Sequence, residues 1–276
     1  MNEIKSVFEN VRKLNPLVHC ITNYVTANDC ANIILSCGAS PIMADDPMEV
    51  AEITAASDSL VINIGTINAG KIEAMIMAGR TANRLNIPVI LDPVGAGISK
   101  LRKGAVERLL KEVKFSVIRG NASEIKAMTL NTKSTSGVDV QAQDKIENNN
   151  LEEIISIAKG LSKKTSSVIA ISGEVDIVVD KDRVSLIRNG HPYMSKITGT
   201  GCMLTSVIGA FCGANKNFIM EGVVTAIALM GICGEEAYKK ISNRNEGVGS
   251  FKTYLLDNMS LIDTLPIKEV MKVEIK

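Results

Sequence analysis

The run Thr198-Gly199-Thr200-Gly201-Cys202 is the strongest candidate for a site of chemistry in this sequence. It lies between a predicted strand and a long apolar helix. Glycines at a strand-to-helix turn let backbone N–H groups approach a phosphate, and the helix N-terminus adds the positive end of its dipole. The run therefore predicts an anion-binding site. The alternative is a tight turn that only leads into a buried helix.

Cys202 stands in the first turn of this helix. A thiolate is favoured beside a helix N-terminus, so we expect a lowered thiol pKa, unless the residue is simply a small side chain that faces the core. His19 lies within a predicted strand, where a hydrogen-bonded core role is expected, and His191 lies in a turn. A hydrolase built on a histidine base therefore has little support.

Two acids form a second candidate site, since Asp92 ends one predicted strand and Glu124 follows the next. Ligands gather at the carboxyl ends of parallel strands, so the two carboxylates could meet there and hold a hydrated Mg²⁺. Asn121 and Glu124 also match a helix capping box, which is an open alternative. Arg119 directly follows the predicted strand 115–118, the strand that precedes Glu124. It could contact a phosphate or form a surface ion pair.

Three further residues follow predicted strands near the N-terminus, namely Asn23, Met43 and Gly65. They offer an amide, a polarizable thioether and bare backbone, which suit a small uncharged ring better than an acid or a sugar phosphate. The alternative for Met43 is a place in the core.

The elements that must position these residues follow a regular pattern. Short β-branched runs alternate with longer helical patterns, which predicts an α/β fold with a mainly parallel sheet. The runs 175–180 and 183–188 are separated by only two residues, so we expect an antiparallel hairpin at one edge. Residues 193–197 are predicted as a strand and the polar stretch 129–150 as an exposed excursion. The tail 270–276 has no clear assignment.

Composition narrows the class of protein. The 276 residues carry 31 Lys+Arg against 30 Asp+Glu, which excludes binding to nucleic acid through bulk charge. The length suits one α/β domain covering residues 1–276. The six cysteines include no C-x-x-C pair, and no export signal is evident, so we expect reduced thiols and a cytoplasmic protein. The uncharged segment 197–215 is expected to be a buried helix, because it contains several glycines and hydroxyl residues.

Six segments resemble, in order, the motifs of the hydroxyethylthiazole kinase family, the thiamine-salvage members of the ribokinase-like superfamily. Their joint occurrence in this order is far more specific than any one of them. The resemblance covers roughly residues 15–250 and weakens in the tail after about residue 260. The segments are 15–25, 38–44, 63–66, 91–96, 119–124 and 198–202.

The resemblance implies a three-layer α/β fold, phosphorylation of 4-methyl-5-(2-hydroxyethyl)thiazole by MgATP, and a homotrimer with active sites at subunit interfaces. It also implies roles for individual residues. Cys202 stands where many ribokinase-like enzymes have an aspartate base. The other roles are a thiazole pocket of Asn23, Met43, Gly65 and Gly199, ATP contacts at Arg119, Ser172, Thr200 and Gly201, and Mg²⁺ organised by Asp92 and Glu124.

Two other functions fit the same residues. One is a kinase of the same fold that acts on another small alcohol, such as a pyrimidine or a pyridoxal-like ring. The other is a binding protein that kept the pocket without the chemistry, for which loss of Asp92, Glu124 and Arg119 would be expected. All three residues are present.

Overall fold

A computed structural model of the chain describes residues 2–129 and 150–276. The predicted excursion at 129–150 therefore falls almost wholly outside the described residues. Within them, nine strands form one sheet in the order β2-β1-β3-β4-β5-β6-β7-β8-β9. The strands are β1 Leu17–Ile21, β2 Ser40–Met43, β3 Ser59–Asn63, β4 Val89–Asp92, β5 Val117–Asn121, β6 Val168–Ser172, β7 Asp176–Asp180, β8 Arg183–Ile187 and β9 Val273–Ile275.

Strands β1 to β6 run parallel, and β7, β8 and β9 each pair antiparallel with the strand before them. The predicted hairpin at β7–β8 is confirmed. Parallel strands are buried on both faces, and β3 accordingly has all five of its residues buried. The mainly parallel sheet with a mixed edge follows from these pairings.

Helices cover both faces of the sheet. Within the described residues they are α1 Asn2–Leu14, α2 Ala27–Cys37, α3 Val50–Ala55, α4 Ala69–Arg84, α5 Lys100–Glu112, α6 Ala122–Thr129, α7 Leu151–Thr165, α8 Thr200–Ala214, α9 Ile219–Arg244, α10 Val248–Ser260 and α11 Ile267–Val270.

Successive strand residues point to opposite faces of the sheet, and this alternation divides the core in two. In β3, Val61 belongs to the core cluster formed with α1, α2, α8, α9 and α10, whereas Leu60 and Ile62 belong to the cluster formed with α4, α5 and α7. The expected three-layer α/β architecture is therefore confirmed. Helix α8 is buried from Met203 to Ala214, and none of the helices in the described ranges is long and apolar enough to cross a bilayer.

Two elements differ from the sequence-based expectation. The strand predicted at 193–197 is wrong, because a 3₁₀ helix, Pro192–Lys196, occupies this place. His191 Nδ1 accepts the N–H of Tyr193 at 3.1 Å, and Pro192 fixes φ at the first helical position. The tail forms β9, which pairs with β8 so that Ser185 lies opposite Ile275.

Candidate active site

The glycine turn before α8 lies at the carboxyl ends of the parallel strands. Gly199 has a φ of +87°, and a Cβ there would lie 2.6 Å from Cγ2 of Thr26. A Cβ on Gly201 would lie 2.6 Å from Nη1 of Arg119. Gly199 therefore requires glycine, whereas a side chain at Gly201 would displace the guanidinium of Arg119. The turn brings the guanidinium of Arg119 against the first turn of α8, where backbone N–H groups lack intrahelical partners.

Cys202 lies in that first turn, half-buried, and two amides donate to its sulfur. The Nδ2 groups of Asn23 and Asn63 each lie 3.3 Å from Sγ. Burial, and next the negative charge of Asp92, raise the pKa of the Cys202 thiol, and hydrogen bonds with Thr26 and the two amides offset only part of this. The expected lowering of this pKa is wrong, because the helix N-terminus is outweighed by desolvation and a neighbouring carboxylate.

Asp92 ends β4 with its side chain buried. Its Oδ2 accepts hydrogen bonds from Asn63 Nδ2 at 2.8 Å and Thr205 Oγ1 at 2.9 Å, and Nη1 of Arg119 lies 3.9 Å away. Burial raises the pKa of Asp92 to about 6, and the positive charge of Arg119 opposes this shift. The other oxygen, Oδ1, is buried and has no hydrogen-bond partner. It is therefore free to take a cation.

Glu124 forms the capping box that the sequence left open as an alternative. Its Oε2 accepts the N–H of Asn121 at 2.8 Å, while Oδ1 of Asn121 accepts the N–H of Glu124 at 2.8 Å. Oε1 of Glu124 accepts the N–H of Gly95 at 2.9 Å. The carboxylate therefore ties the start of α6 to the turn after β4. Its negative charge also acts on Asp92, so the two acids lie near each other.

Those two acids make a donor set that fits Mg²⁺. Hard carboxylate oxygens suit this ion, which commonly takes one or two carboxylates and completes its shell with water and substrate phosphates. The orphaned Oδ1 of Asp92 can bind directly, and each oxygen of Glu124 keeps a lone pair for a bound water. Across residues 2–129 and 150–276, no cluster of three or more His, Cys, Asp and Glu side chains could hold a metal by itself.

Arg119 is buried beneath the glycine turn and is not part of a surface ion pair. Its Nη2 donates to Oγ of Ser172 at 2.6 Å, and its Nε is buried without a partner. Asp176 lies close by, since the charge of Arg119 acts on its carboxyl group. Burial raises the pKa of Asp176 to about 7, and its Oδ1 accepts the N–H of Gly173 at 2.9 Å.

Two of the residues expected to form a ring pocket are hydrogen-bonded to this site. Asn23 and Gly65 meet at Asn63, whose Oδ1 accepts from Asn23 Nδ2 at 3.1 Å and from Gly65 N at 2.9 Å. Met43 ends the edge strand β2 with 38% of its surface exposed, so it is not a core residue. The hydroxyl of Thr200 donates to the Met194 carbonyl at 3.4 Å.

The two histidines stand where the sequence places them. His19 is buried, with Nδ1 at 2.9 Å from Thr54 Oγ1 and Nε2 at 2.9 Å from the Ala44 carbonyl. His191 lies at the turn before the 3₁₀ helix. Neither ring has a hydrogen bond to the acids or to the thiol of the site.

Comparison with known proteins decides the family. The sequence model of the hydroxyethylthiazole kinase family matches residues 8–264. The chain belongs to this family. Hydroxyethylthiazole kinase from Clostridium acetobutylicum is 53% identical over 260 residues, which cover 94% of this chain and 95% of that protein. The solved structure of hydroxyethylthiazole kinase from Pyrococcus horikoshii has a TM-score of 0.87 at 32% identity, with full coverage of both chains.

A more distant neighbour extends the comparison to the fold alone. A ribokinase-like superfamily protein from Enterococcus faecalis has a TM-score of 0.63 at 12% identity, covering 95% of this chain and 89% of that one. The ribokinase-like fold expected of a hydroxyethylthiazole kinase is thus confirmed.

Sequence reasoning missed three polar residues of this family member's site. Asn63 is the last residue of a wholly buried strand, and an amide at such a place is the signal that could have found it. Thr205 lies three residues after Cys202, on the same face of α8. Asp176 follows Ser172 across a short turn between β6 and β7. Each is polar and adjoins a residue that the motifs did single out.

Proposed function

We propose that this member of the hydroxyethylthiazole kinase family transfers the γ-phosphoryl group of ATP to the hydroxyl of 4-methyl-5-(2-hydroxyethyl)thiazole, in thiamine biosynthesis or salvage. One observation carries the proposal: an unpartnered carboxylate oxygen, a buried arginine and a thiol converge on the glycine turn of α8. The family match over residues 8–264 supports the identity of the acceptor.

Phosphoryl transfer passes through a loose transition state, so it requires alignment and charge stabilisation more than early deprotonation of the attacking hydroxyl. The backbone N–H groups of Thr200, Gly201 and Cys202 have no intrahelical partners and would donate to the phosphate oxygens. Arg119, held by Ser172 at 2.6 Å, would contact the same polyphosphate. These groups stabilise the negative charge that develops on the phosphate oxygens in the transition state.

Mg²⁺ would be held by Asp92 through Oδ1, with Glu124 acting through bound water. When bound, the ion neutralises phosphate charge and orients the β- and γ-phosphates. On the protein side, Asn63 and Thr205 hold Oδ2 of Asp92, which leaves Oδ1 directed away from them.

Cys202 is the residue that we assign to the attacking hydroxyl. Its raised pKa keeps the thiol protonated at neutral pH, so the thiol orients the alcohol rather than removing its proton. The alcohol proton then leaves late, once the new P–O bond has made it acidic, and passes to an oxygen of the transferred phosphoryl group. This role differs from that of an ionised aspartate base at the same position.

The acceptor pocket is built from neutral groups, with Asn23, Gly65 and Gly199 on one side and Met43 on the rim. Large apolar side chains that follow Asn23 and Met43 in the sequence are exposed: Tyr24 at 79%, Val25 at 58% and Met48 at 92%. Exposed apolar side chains are typical of an interface when they form a patch. Their exposure supports the proposal that a second copy covers the pocket in a homotrimer.

We also propose that residues 1–276 act as one kinase domain in the cytoplasm. All six cysteines are free thiols, which suits a reducing compartment.

A substrate panel tests this function. Purified protein with MgATP is given hydroxyethylthiazole, pyridoxal or a hydroxymethylpyrimidine, and ADP release and the phosphate ester are both measured. We expect the thiazole to give the highest kcat/KM. A higher kcat/KM for either other ring would assign the chain to the alternative kinase activity, and bound nucleotide with no ester from any acceptor would contradict a kinase.

A further inference from the structure

Asn63 contacts four groups of the site through a single amide. Its Oδ1 accepts from Asn23 Nδ2 at 3.1 Å and from Gly65 N at 2.9 Å. Because Gly65 N is a backbone donor, Oδ1 must be the oxygen, and the orientation of the amide is fixed. The Nδ2 group then donates to Asp92 Oδ2 at 2.8 Å and to Cys202 Sγ at 3.3 Å. Both N–H groups of Nδ2 and both lone pairs of Oδ1 therefore have hydrogen-bond partners.

We propose that Asn63 is a positioning residue for phosphoryl transfer, whose Nδ2 group holds the Asp92 carboxylate and the Cys202 thiol in a fixed relative position. The inference rests on the proposed function of those two residues. Asp92 ends β4 and Cys202 lies in the first turn of α8, and no direct hydrogen bond joins them among the contacts of the described residues. The amide at the end of β3 bridges them.

This bridge has a consequence for the thiol. Two N–H groups, from Asn63 and Asn23, occupy the lone pairs of Sγ. The thiol hydrogen is therefore directed away from both amides, toward Thr26, which also hydrogen-bonds Cys202, and toward the acceptor's hydroxyl oxygen. A change of about 1 Å in the place of such a group can reduce a rate by about 10²-fold. The amide thus controls alignment rather than affinity.

Asn63→Asp tests the role of the Nδ2 donor, because it replaces that group with an oxygen. The substitution preserves shape and leaves one oxygen to accept from Gly65 and Asn23, but it places a second oxygen against Asp92 and Cys202. We expect kcat to fall about 10²-fold, with KM for both substrates within about threefold of wild type. A purely structural role would instead lower the melting temperature and leave the kcat of the folded protein unchanged.

The bridge also predicts coupling between two substitutions. The factor by which Asn63→Asp lowers kcat should be about fivefold smaller in a Cys202→Ala background than in wild type. One of the two groups that the Asn63 amide holds, the thiol, is already missing in that background. Thr205→Val is the matched control, since Thr205 donates to the same Asp92 oxygen at 2.9 Å and has no hydrogen bond to Cys202 among the contacts of the described residues. Its effect should be the same in both backgrounds, and equal behaviour of the two variants would overturn the proposal.

An alkylation measurement separates this proposal from the proposed function. Cys202 is the only cysteine that is not buried, so iodoacetamide labelling without substrates, located by mass spectrometry, reports on its sulfur. The thiolate is the reactive form, and Asn63→Asp replaces a stabilising N–H with a repelling oxygen. We expect labelling to slow about tenfold in Asn63→Asp and to change less than about twofold in Thr205→Val.

Unchanged labelling in Asn63→Asp would overturn the bridge even if the kinase assay succeeds, and slowed labelling would support it even if no phosphate ester forms. If Asn63→Asp does not fold, Asn63→Ser takes its place in the kcat and coupling measurements. Serine retains an acceptor for Gly65 and loses the paired donors. Wild-type kcat in that variant would also overturn the proposal.

Discussion

Replacing Gly201 with alanine places a methyl group against Arg119. The new Cβ would lie 2.6 Å from Nη1 and 3.4 Å from Cζ of the guanidinium. Ordinary contact begins at about 3.5 Å, so the guanidinium must move by about 1 Å. Its movement breaks or distorts the 2.6 Å hydrogen bond to Ser172. A misplacement of about 1 Å predicts a loss of about 10²-fold in kcat/KM for ATP.

The same substitution has a small expected effect on stability. Alanine is favoured over glycine in a helix by about 0.8–1 kcal/mol, while a lost hydrogen bond costs about 0.5–1.5 kcal/mol. These two contributions nearly cancel. The free energy of unfolding should therefore stay within about 1 kcal/mol of wild type.

Gly160→Ala is the matched control. Gly160 lies within α7, and a Cβ there would have no atom within 4 Å. This variant should gain about 1 kcal/mol in stability and keep wild-type kinetics. Steady-state kinetics with varied ATP, together with urea unfolding, measure both properties. Wild-type kcat/KM in Gly201→Ala would refute the placement of Arg119. A loss of kcat/KM no larger than the fraction of unfolded protein would refute it too.

Three further predictions follow from the site and its surroundings. Cys202→Ala should lower kcat about tenfold, because the thiol only orients the alcohol, whereas a base would cost about 10³-fold, and Cys202→Asp should remain active. Asp176 has a pKa of about 7 in the folded protein against about 4 when unfolded, so its contribution to stability falls as pH rises between these values. Asp176→Asn should therefore raise the melting temperature at about pH 8, and calorimetry should show the difference vanish near pH 4; an equal difference at both values would exclude burial as the cause. Met48→Lys should dissociate the proposed homotrimer in sedimentation experiments, whereas Leu14→Lys, at another exposed apolar residue, should not; an intact Met48→Lys trimer would exclude Met48 from the interface.

The parallel part of the fold could be predicted because its signals are local. β-branched runs and intervening helical patterns mark β1 to β6 without knowledge of their partners. β9 depends on pairing with β8, a tertiary contact that has no local signal. The 3₁₀ helix at Pro192–Lys196 does have local signals, the cap from His191 and Pro192 at the first helical position, which the strand interpretation of 193–197 overlooked.

The features of the candidate site likewise divide into those with a local sequence signal and those that arise only on folding. Strand ends and glycines placed Asp92, Arg119 and the turn before α8 at one edge of the sheet. The direction of the Cys202 pKa was wrong because burial and the nearby Asp92 carboxylate arise only on folding. Asn63 escaped notice for a related reason: within a buried strand, an amide is recognised as a bridge only when its four partners are known.

The most direct test of the central claim is a single-turnover experiment on the purified chain. Protein in excess over hydroxyethylthiazole is mixed with MgATP, quenched, and analysed by mass spectrometry for ADP and the phosphate ester. We expect one ester formed for each ADP released, with the wild-type rate retained in Gly160→Ala and a much lower rate in Gly201→Ala. ADP released without ester would contradict the proposed function, and ester formed equally fast by Gly201→Ala would contradict the placement of Arg119.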